Sequence, residues 1–98
     1  MQPGPSIRLD TWLFQARFCK TRGVAARLVA GGAVRVNGAR VLKPAHPVRV
    51  GDGLSFPQGD AVRVLRVRGL GTRRGPAEEA RLLYDEVGSA SKGAAPGP

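Results

Sequence analysis

The stretch ARFCKTRGVAARLVAGGAVRVNGARV, residues 16–41, decides the fold because a helix and a hairpin follow each other within it. Thr21 is a residue type that caps helix N-termini by accepting a backbone N–H bond, so it marks the helix start. Gly31-Gly32 marks the helix end, since glycine is favoured just beyond a helix C-terminus. The buried face of this helix is predicted to comprise Val24, Ala25 and Leu28.

Strand alternation follows these glycines, and the chain then reverses at Asn37-Gly38, a two-residue sequence typical of β-hairpins. A two-residue turn pairs Val34 with Val41 on one face. The same register places Arg35 opposite Arg40 on the other face. Like charges paired across strands destabilise a hairpin. The arginine pair therefore indicates a shared anion, although solvent on an open edge also screens the repulsion.

A first helix is predicted before this stretch. Its apolar stripe comprises Leu9, Trp12, Leu13, Ala16 and Cys19, which follow helical spacing. Phe14 and Phe18 point to roughly the opposite side, and a short helix that is apolar on two sides is packed between other elements. The alternative is that one of these two rings is a stacking platform for an unpaired base. Residues 1–6 are expected to form a flexible lead-in.

Further strands and a short helix are predicted after the hairpin. Extended runs begin near Val48 and Leu54 and continue through residues 62–67, where the step from Val64 to Leu65 breaks alternation and indicates a bulge. A last helix opens at Pro76-Ala77 with acidic residues in its favourable first turn. Its apolar side is predicted to comprise Leu82, Leu83 and Val87. Residues 88–98 are rich in Gly, Ser, Ala and Pro and are expected to form a disordered tail.

The basic residues are concentrated in one block of the chain. The formal net charge is +9. Residues 1–75 contain fourteen of the sixteen basic residues and only three acidic residues, all aspartate. Such a surplus disfavours the compact state through self-repulsion, so it indicates an anionic partner. Thirteen of the sixteen are arginine, whose planar guanidinium binds phosphates bidentately and stacks on bases. A composition bias towards arginine explains the arginine excess better than it explains the clustered charge.

The residue inventory disfavours an enzyme and a metal site. The single cysteine, Cys19, cannot form an internal disulfide, and the single histidine, His46, has no partner ligands. No phosphate-binding loop motif occurs, and Asp10, Asp52 and Asp60 lie far apart in the sequence. We therefore expect a non-enzymatic protein without cofactor or metal. Since the sequence contains neither a signal-like start nor a membrane-length apolar run, we expect it to be cytoplasmic.

The junction between the two predicted helices is the best candidate for binding an anion. A helix that begins near Thr21 exposes unpaired backbone N–H groups and a partial positive charge at its start. Lys20 and Arg22 flank that start, so side chains and backbone can converge on one phosphate. Arg27 lies about 140° round the helix from Arg22. An RNA lying across the helix end could contact both arginines and continue over the hairpin.

These residues resemble the S4-like RNA-binding domain, also called the alpha-L motif, over residues 8–56. The resemblance is carried by Arg8-Leu9-Asp10, Lys20-Thr21-Arg22, Ala26, Leu28-Val29, Gly32, Val34-Arg35-Val36-Asn37-Gly38, Val41, Lys43-Pro44 and Val50-Gly51-Asp52. It implies an α+β fold in which two or three N-terminal helices pack on a small, mostly antiparallel sheet, with a short C-terminal helix. The domain would span residues 7–70, and residues 71–87 would form a C-terminal extension.

Outside the shared domain, the chain resembles the heat shock protein 15 family. This resemblance is carried by Trp12-Leu13, Ala16-Arg17-Phe18, Gln58-Gly59, Arg73-Arg74-Gly75-Pro76-Ala77, Glu79-Ala80 and Leu83-Tyr84. It implies a ribosome-associated factor that binds ribosomal RNA of the free large subunit when that subunit still carries peptidyl-tRNA after abortive translation. Some members of the family continue into a long basic C-terminal extension, whereas the present sequence has a short neutral tail there.

The resemblance also implies a set of RNA-binding residues. They are Arg8 and Asp10 on the first helix, Arg17, Lys20, Thr21 and Arg22 at the junction, Arg27 on the second helix, and Arg35, Asn37, Arg40 and Lys43 on the hairpin and its exit. Asp10 could instead stabilise the helix start, and the turn alone would select Asn37. The high net charge favours a monomer.

Three other functions remain open from the sequence. The chain could be the RNA-binding part of an RNA-modifying enzyme, since such domains are attached to catalytic domains of that kind. It could bind structured RNA or DNA generally. It could also be a protein-interaction module that uses the acidic helix around residues 78–86.

Overall fold

The computed structural model describes residues 4–91, and of residues 89–91 only the backbone. Within this range the helices are α1 (Leu9–Gln15), α2 (Arg22–Ala30) and α3 (Ala77–Ala80). The strands are β1 (Ile7–Arg8), β2 (Val34–Val36), β3 (Ala39–Val41), β4 (Pro47–Val48), β5 (Gly53–Gln58), β6 (Ala61–Val67) and β7 (Tyr84–Ser91). Five strands form an antiparallel sheet in the order β3-β2-β5-β6-β7, and β1 pairs with β4 separately. The predicted α+β class is confirmed.

Helix α2 begins and ends where the sequence predicts. The Thr21 side chain accepts a hydrogen bond from the Val24 backbone N–H at 3.0 Å. Beyond the helix, Gly32 adopts a φ of +82°, a conformation that favours glycine. A Cβ built on Gly32 would lie 3.4 Å from the side chains of both Arg40 and Leu42. The chain reversal after α2 therefore brings the hairpin against the helix end.

The hairpin also has the predicted register. Asn37 and Gly38 both have positive φ, as a two-residue primed turn requires. Val34 pairs with Val41 and both are buried, whereas Arg35 pairs with Arg40 on the exposed face. The like-charged pair predicted from the sequence is therefore present in the fold.

The core lies between α1, α2 and the inner face of the sheet. Its buried residues are Leu9, Trp12, Leu13, Ala16, Cys19, Ala25, Val29, Val34, Val36, Val41, Val48, Leu54, Phe56, Leu65 and Val67. Trp12 is fully buried, and its Nε1–H donates to the Gly69 carbonyl oxygen at 2.8 Å. This bond joins α1 to the segment that follows β6.

The first helix is shorter than its apolar stripe predicts. Helix α1 ends at Gln15, because Arg17 adopts a left-handed φ of +68° and donates from Nε to the Gly75 carbonyl at 2.7 Å. Phe18 therefore lies in the loop after the helix, where its ring packs 5.0 Å from Phe56 and 4.8 Å from Tyr84. Both Phe18 and Phe14 are half-buried.

The irregularity predicted at Val64–Leu65 occurs at that position, but the extra residue belongs to the partner strand. Val64 pairs with Gly88 and Leu65 pairs with Glu86, so Val87 of β7 is unpaired. Val87 is exposed. The break in alternation thus indicated the right place in the sheet and the wrong strand.

The C-terminal helix is present but ends earlier than predicted. Helix α3 stops at Ala80, a 3₁₀ turn follows over Arg81–Leu83, and β7 then begins at Tyr84. The prediction that Val87 lies on a helix is wrong, because pairing with the edge of β6 satisfies the backbone of this segment. For the same reason the expected disordered tail cannot begin at residue 88, since the strand continues to Ser91. Residues 92–98 lie outside the described range.

Across residues 4–91, no helix has the length and apolarity needed to cross a membrane.

Candidate nucleic-acid interface

The start of α2 presents positive side chains together with free backbone donors. Thr21, Lys20 and Arg22 are all exposed. The Thr21 hydroxyl satisfies one of the orphan N–H groups, that of Val24. Within the described chain, the backbone N–H groups of Arg22 and Gly23 make no hydrogen bond. These two N–H groups and the adjacent cations are therefore available to an anion at the positive end of the helix.

Arg27 reaches the same helix end from one turn further along. Its Nη1 lies 3.9 Å from the position that a Cβ on Gly23 would occupy, and the Thr21 hydroxyl lies 3.7 Å from that position. The side chain therefore folds back towards the first turn of α2. Although Arg22 and Arg27 emerge on different sides of the helix, both guanidinium groups can serve a ligand at its start.

A cleft separates the starts of α1 and α2. It has a volume of about 420 Å³ and is lined by Arg8, Asp10, Thr11, Arg22, Gly23 and Ala26. The residues on the α2 side other than Arg22 are small, so the cleft gives access to the helix backbone. Arg8 and Arg22 line it from opposite helices. Arg8 and the helix junction therefore face the same cleft.

Arg8 is held in place by Asp10. The structure places Arg8 in β1, directly before α1, rather than on the helix. Its Nε and Nη2 donate to the two carboxylate oxygens of Asp10, both at 3.0 Å, and the Thr11 N–H donates to the same carboxylate at 2.7 Å. The Asp10 residue is only 5% exposed, whereas the Arg8 side chain is 58% exposed. The carboxylate is thus used within the protein and the guanidinium faces solvent.

The charge of Asp10 is stabilised despite its burial. Burial alone would raise the pKa of the carboxyl, but the Arg8 and Thr11 hydrogen bonds outweigh burial and lower the pKa below its ordinary value of 3.8. Because the folded protein binds this proton less tightly than the unfolded chain, the ionised carboxyl stabilises the fold above that ordinary value. The stabilisation is lost as the pH falls through the lowered pKa of the folded protein.

Replacing Asp10 by asparagine is expected to lower the free energy of unfolding by about 1 kcal/mol at pH 7, because the charge-assisted bonds to Arg8 become neutral. The deficit should shrink to near zero as the pH falls through the lowered pKa. Urea unfolding of wild type and variant between pH 2 and 7 measures this difference. Asp60→Asn is the control, since Asp60 is exposed and makes no hydrogen bond in the described chain. A deficit that stays constant across this pH range would contradict the role given to the Asp10 charge.

Arg74 joins this surface, although sequence spacing did not place it there. Its Nε donates to the Phe14 carbonyl at 3.1 Å, and its guanidinium lies 5.2 Å from the Phe14 ring centroid. The Arg22 guanidinium lies 6.0 Å from the same centroid. The Phe14 ring thus contacts two guanidinium groups from segments that are far apart in the sequence. The only sequence signal was the resemblance carried by Arg73-Arg74-Gly75.

The three predicted residues of the hairpin, Arg35, Asn37 and Arg40, differ in their contacts. The stem of Arg40 packs at Gly32, near the end of α2, and Arg35 lies across from Arg40 with its Nη1 3.4 Å from the Gly38 carbonyl. Asn37 is engaged internally: its Oδ1 accepts the Gly53 N–H at 2.8 Å and its Nδ2 donates to an Asp52 oxygen at 3.1 Å. Its side chain therefore holds the turn against the start of β5.

Lys43 is exposed near the start of α1. The loop that it opens supplies carbonyl oxygens to that helix, from His46 to the Leu9 N–H at 2.9 Å and from Pro44 to the Asp10 N–H at 3.1 Å. This loop caps α1 with backbone groups, and Lys43 precedes the Pro44 carbonyl that accepts the Asp10 N–H.

We call Arg8, Lys20, Arg22, Arg27 and Arg74 the junction surface. Of the predicted residues, Asp10 binds Arg8 and Thr21 caps α2, so both support this surface. Arg17 contacts the Gly75 carbonyl, and Lys43 lies in the loop that caps α1. Arg35, Asn37 and Arg40 lie on the hairpin beyond the end of α2. In residues 4–91, no cluster of three or more histidine, cysteine, aspartate or glutamate side chains could hold a metal ion.

Comparisons with known proteins match the sequence and the fold of this chain. A family model described as the S4 domain matches residues 7–54. Heat shock protein 15 of Escherichia coli strain K12 is 42% identical over 86 residues, which cover 88% of this chain and 64% of that protein. The chain therefore spans less than two thirds of the length of this relative. Small ribosomal subunit protein uS4 of Nitrobacter hamburgensis is 40% identical over 47 residues, 48% of this chain and 23% of that protein.

A solved structure is similar over most of the chain. The trimeric structure of Vibrio cholerae heat shock protein 15 superposes with a TM-score of 0.80 at 38% identity, covering 85% of this chain and 83% of that chain. The expectation of a monomer for the present chain stays a prediction.

Proposed function

The chain belongs to the heat shock protein 15 family of S4-domain proteins, and from that membership we propose that it is a non-enzymatic RNA-binding protein that associates with the ribosome. The observation that carries this proposal is the start of α2, where two free backbone N–H groups lie with Arg22 and Arg27 beside the Arg8 cleft. Such a role implies a cytoplasmic location.

We further propose that its target is ribosomal RNA of the free large subunit when that subunit carries peptidyl-tRNA, with the tRNA itself as a second contact. Membership of the family supports this target, and the similarity to a ribosomal protein over the S4 domain supports a ribosomal RNA partner. No cofactor is needed for such a role, because binding and not chemistry is its basis.

Recognition would rest on the shape and phosphate positions of the RNA, since cations outnumber groups that could read bases. The proposed RNA-binding residues are Arg8, Asp10, Arg17, Lys20, Thr21, Arg22, Arg27, Arg35, Asn37, Arg40 and Lys43, to which Arg74 is added. Within this set, we assign Asp10 a positioning role through Arg8, Thr21 a role in capping α2, and Asn37 a role in holding the hairpin.

The affinity for a structured RNA hairpin should fall steeply with salt. If about six to eight phosphates are engaged, log affinity plotted against log salt concentration should have a slope of roughly −4 to −7. Fluorescence anisotropy over a salt series measures this slope, and competition with B-form DNA of equal length tests the preference for RNA. A slope near −1 would contradict a phosphate-binding surface. Equal competition by the DNA would favour a general nucleic-acid binder.

A further inference from the structure

A second pocket lies outside the junction surface, between the loop after α1 and the C-terminal extension. It has a volume of about 170 Å³, and its lining includes Arg17, Phe18, Gln58, Arg63, Arg81 and Tyr84. Four of these six residues lie beyond the S4 domain match, which ends at residue 54. The volume is below the range of about 300–1,000 Å³ that accommodates drug-sized ligands. The pocket therefore has room for one small group only.

The wall of the pocket is built from flat surfaces. The Phe18 and Tyr84 rings are 4.8 Å apart and tilted by 53°, and both are half-buried. The Arg63 guanidinium lies over the Phe18 ring, 5.2 Å from its centroid. Bases of unpaired nucleotides stack on aromatic rings and on guanidinium planes.

Three of the five N–H groups of the Arg63 guanidinium donate to side chains of the protein. Its Nε and Nη2 donate to the two carboxylate oxygens of Glu86 at 2.8 and 2.6 Å, and its Nη1 donates to the Gln58 side-chain oxygen at 2.6 Å. Glu86 also neutralises its charge. Arg63 therefore offers a fixed flat face to the pocket, and it is not the group that would bind a phosphate.

Two other arginines supply positive charge at the pocket. Both Arg17 and Arg81 are exposed. Arg17 uses its Nε on the Gly75 carbonyl, whereas Arg81 makes no side-chain hydrogen bond or ion pair within residues 4–91. On the neighbouring helix α3, Glu79 is paired with Arg73 at 2.9 Å. The charge of Arg81 is thus available to an anionic ligand.

We propose that this pocket binds one unpaired nucleotide, with the base stacked on the Arg63 guanidinium beside the Phe18 and Tyr84 rings and a phosphate at Arg17 and Arg81. The proposal rests on the RNA-binding function proposed above and adds a site for a single unstacked base. Arg17 and Phe18 are separated from the junction residues Lys20 to Arg22 only by Cys19 in the chain. An RNA strand that crosses the start of α2 would therefore pass close to the pocket.

Two RNA hairpins that differ only in one base test this proposal. One carries a single unpaired adenosine in its stem, and the other carries an abasic residue at that position, so the number of phosphates is the same. Base stacking on protein is worth about fivefold to a hundredfold in affinity. We expect wild-type protein to bind the adenosine hairpin more tightly by a factor in that range.

The variant Arg63→Lys separates the flat face from the charge. Lysine retains the positive charge beside Glu86 but lacks the guanidinium plane, so the preference for adenosine should fall to near onefold while affinity for the abasic hairpin is unchanged. Arg66→Lys is the matched control, because Arg66 lies on the same strand outside the pocket lining, and it should keep the preference. Circular dichroism shows whether each variant is folded.

Each outcome distinguishes this site from the broader function. Equal wild-type affinity for the two hairpins would overturn the nucleotide pocket and leave RNA binding intact. A preference that survives in folded Arg63→Lys would also overturn the pocket, since the base would then stack elsewhere. Absence of binding to either hairpin at low salt would overturn the RNA-binding function itself. If Arg63→Lys fails to fold, the wild-type comparison of the two hairpins alone decides.

Discussion

Replacing Trp12 by alanine is expected to lower the free energy of unfolding by about 3–5 kcal/mol, a large part of the stability of a small domain. Trp12 is fully buried, and its ring packs against Phe18 and Tyr84 at centroid distances of 6.0 and 6.4 Å. It also donates to the Gly69 carbonyl. The substitution therefore leaves a cavity in the core and removes a link between α1 and the C-terminal extension.

Trp12→Phe separates these two effects. Phenylalanine retains most of the apolar surface but leaves the Gly69 carbonyl without its donor, so we expect a cost of about 1–3 kcal/mol. Since Trp12 is the single tryptophan of the chain, urea unfolding has to be followed by far-UV circular dichroism and not by tryptophan fluorescence. A loss below 1 kcal/mol for Trp12→Ala would contradict the central position of this residue.

The double variant Arg22→Ala/Arg27→Ala is expected to lower affinity for structured RNA by about tenfold to a hundredfold at roughly 0.1 M salt. Loss of two phosphate contacts should also make the salt slope less negative by about 1.5. Both arginines are exposed and alanine is a good helix former, so the fold should be retained. Fluorescence anisotropy over a salt series measures both the affinity and the slope.

The variant Arg66→Ala/Arg68→Ala is the matched control for net charge. It also removes two exposed arginines, but from the β6 side of the sheet and not from the junction surface. If the start of α2 is the binding site, the control should retain most of the affinity. Equal losses in the two double variants would show that overall charge, and not the junction, determines binding.

The helix junction and the hairpin could be predicted because their determinants are local. Thr21 caps the helix that begins at the next residue, through the N–H group of Val24 three positions on. Asn37-Gly38 sets the register of the two strands that it directly joins. The identity of the residues within a few positions was sufficient for both. The same locality makes the Arg35–Arg40 pair predictable from the turn alone.

The C-terminal extension could not be predicted in the same way, because it depends on distant partners. Residues 84–91 carry no strong strand pattern, but the open edge of β6 provides a partner for their backbone groups. Arg17 and Arg74 contact residues 58 and 60 positions away in the chain. Neither periodicity nor local composition contains information about contacts of this range, so the composite basic surface emerged only from the fold.

The sequence identifies Asp10 as a residue of the candidate site, but only the structure distinguishes direct RNA binding from a supporting role. The resemblance put it among the RNA-binding residues, and the helix start offered a structural alternative. Its near-complete burial and its bonds to Arg8 and Thr11 favour a supporting role. The exposed partner, Arg8, is the member of the pair that can reach a ligand.

Sedimentation with ribosomal subunits tests the central claim most directly. Wild type, Arg22→Ala/Arg27→Ala and Arg66→Ala/Arg68→Ala are each centrifuged with free large subunits that carry peptidyl-tRNA, at low and at high salt. We predict that wild type and the arginine control migrate with the large subunits at low salt and are released at high salt, while the junction variant stays at the top of the gradient. Wild-type protein that stays at the top at low salt, or a folded junction variant that migrates like wild type, would contradict this account.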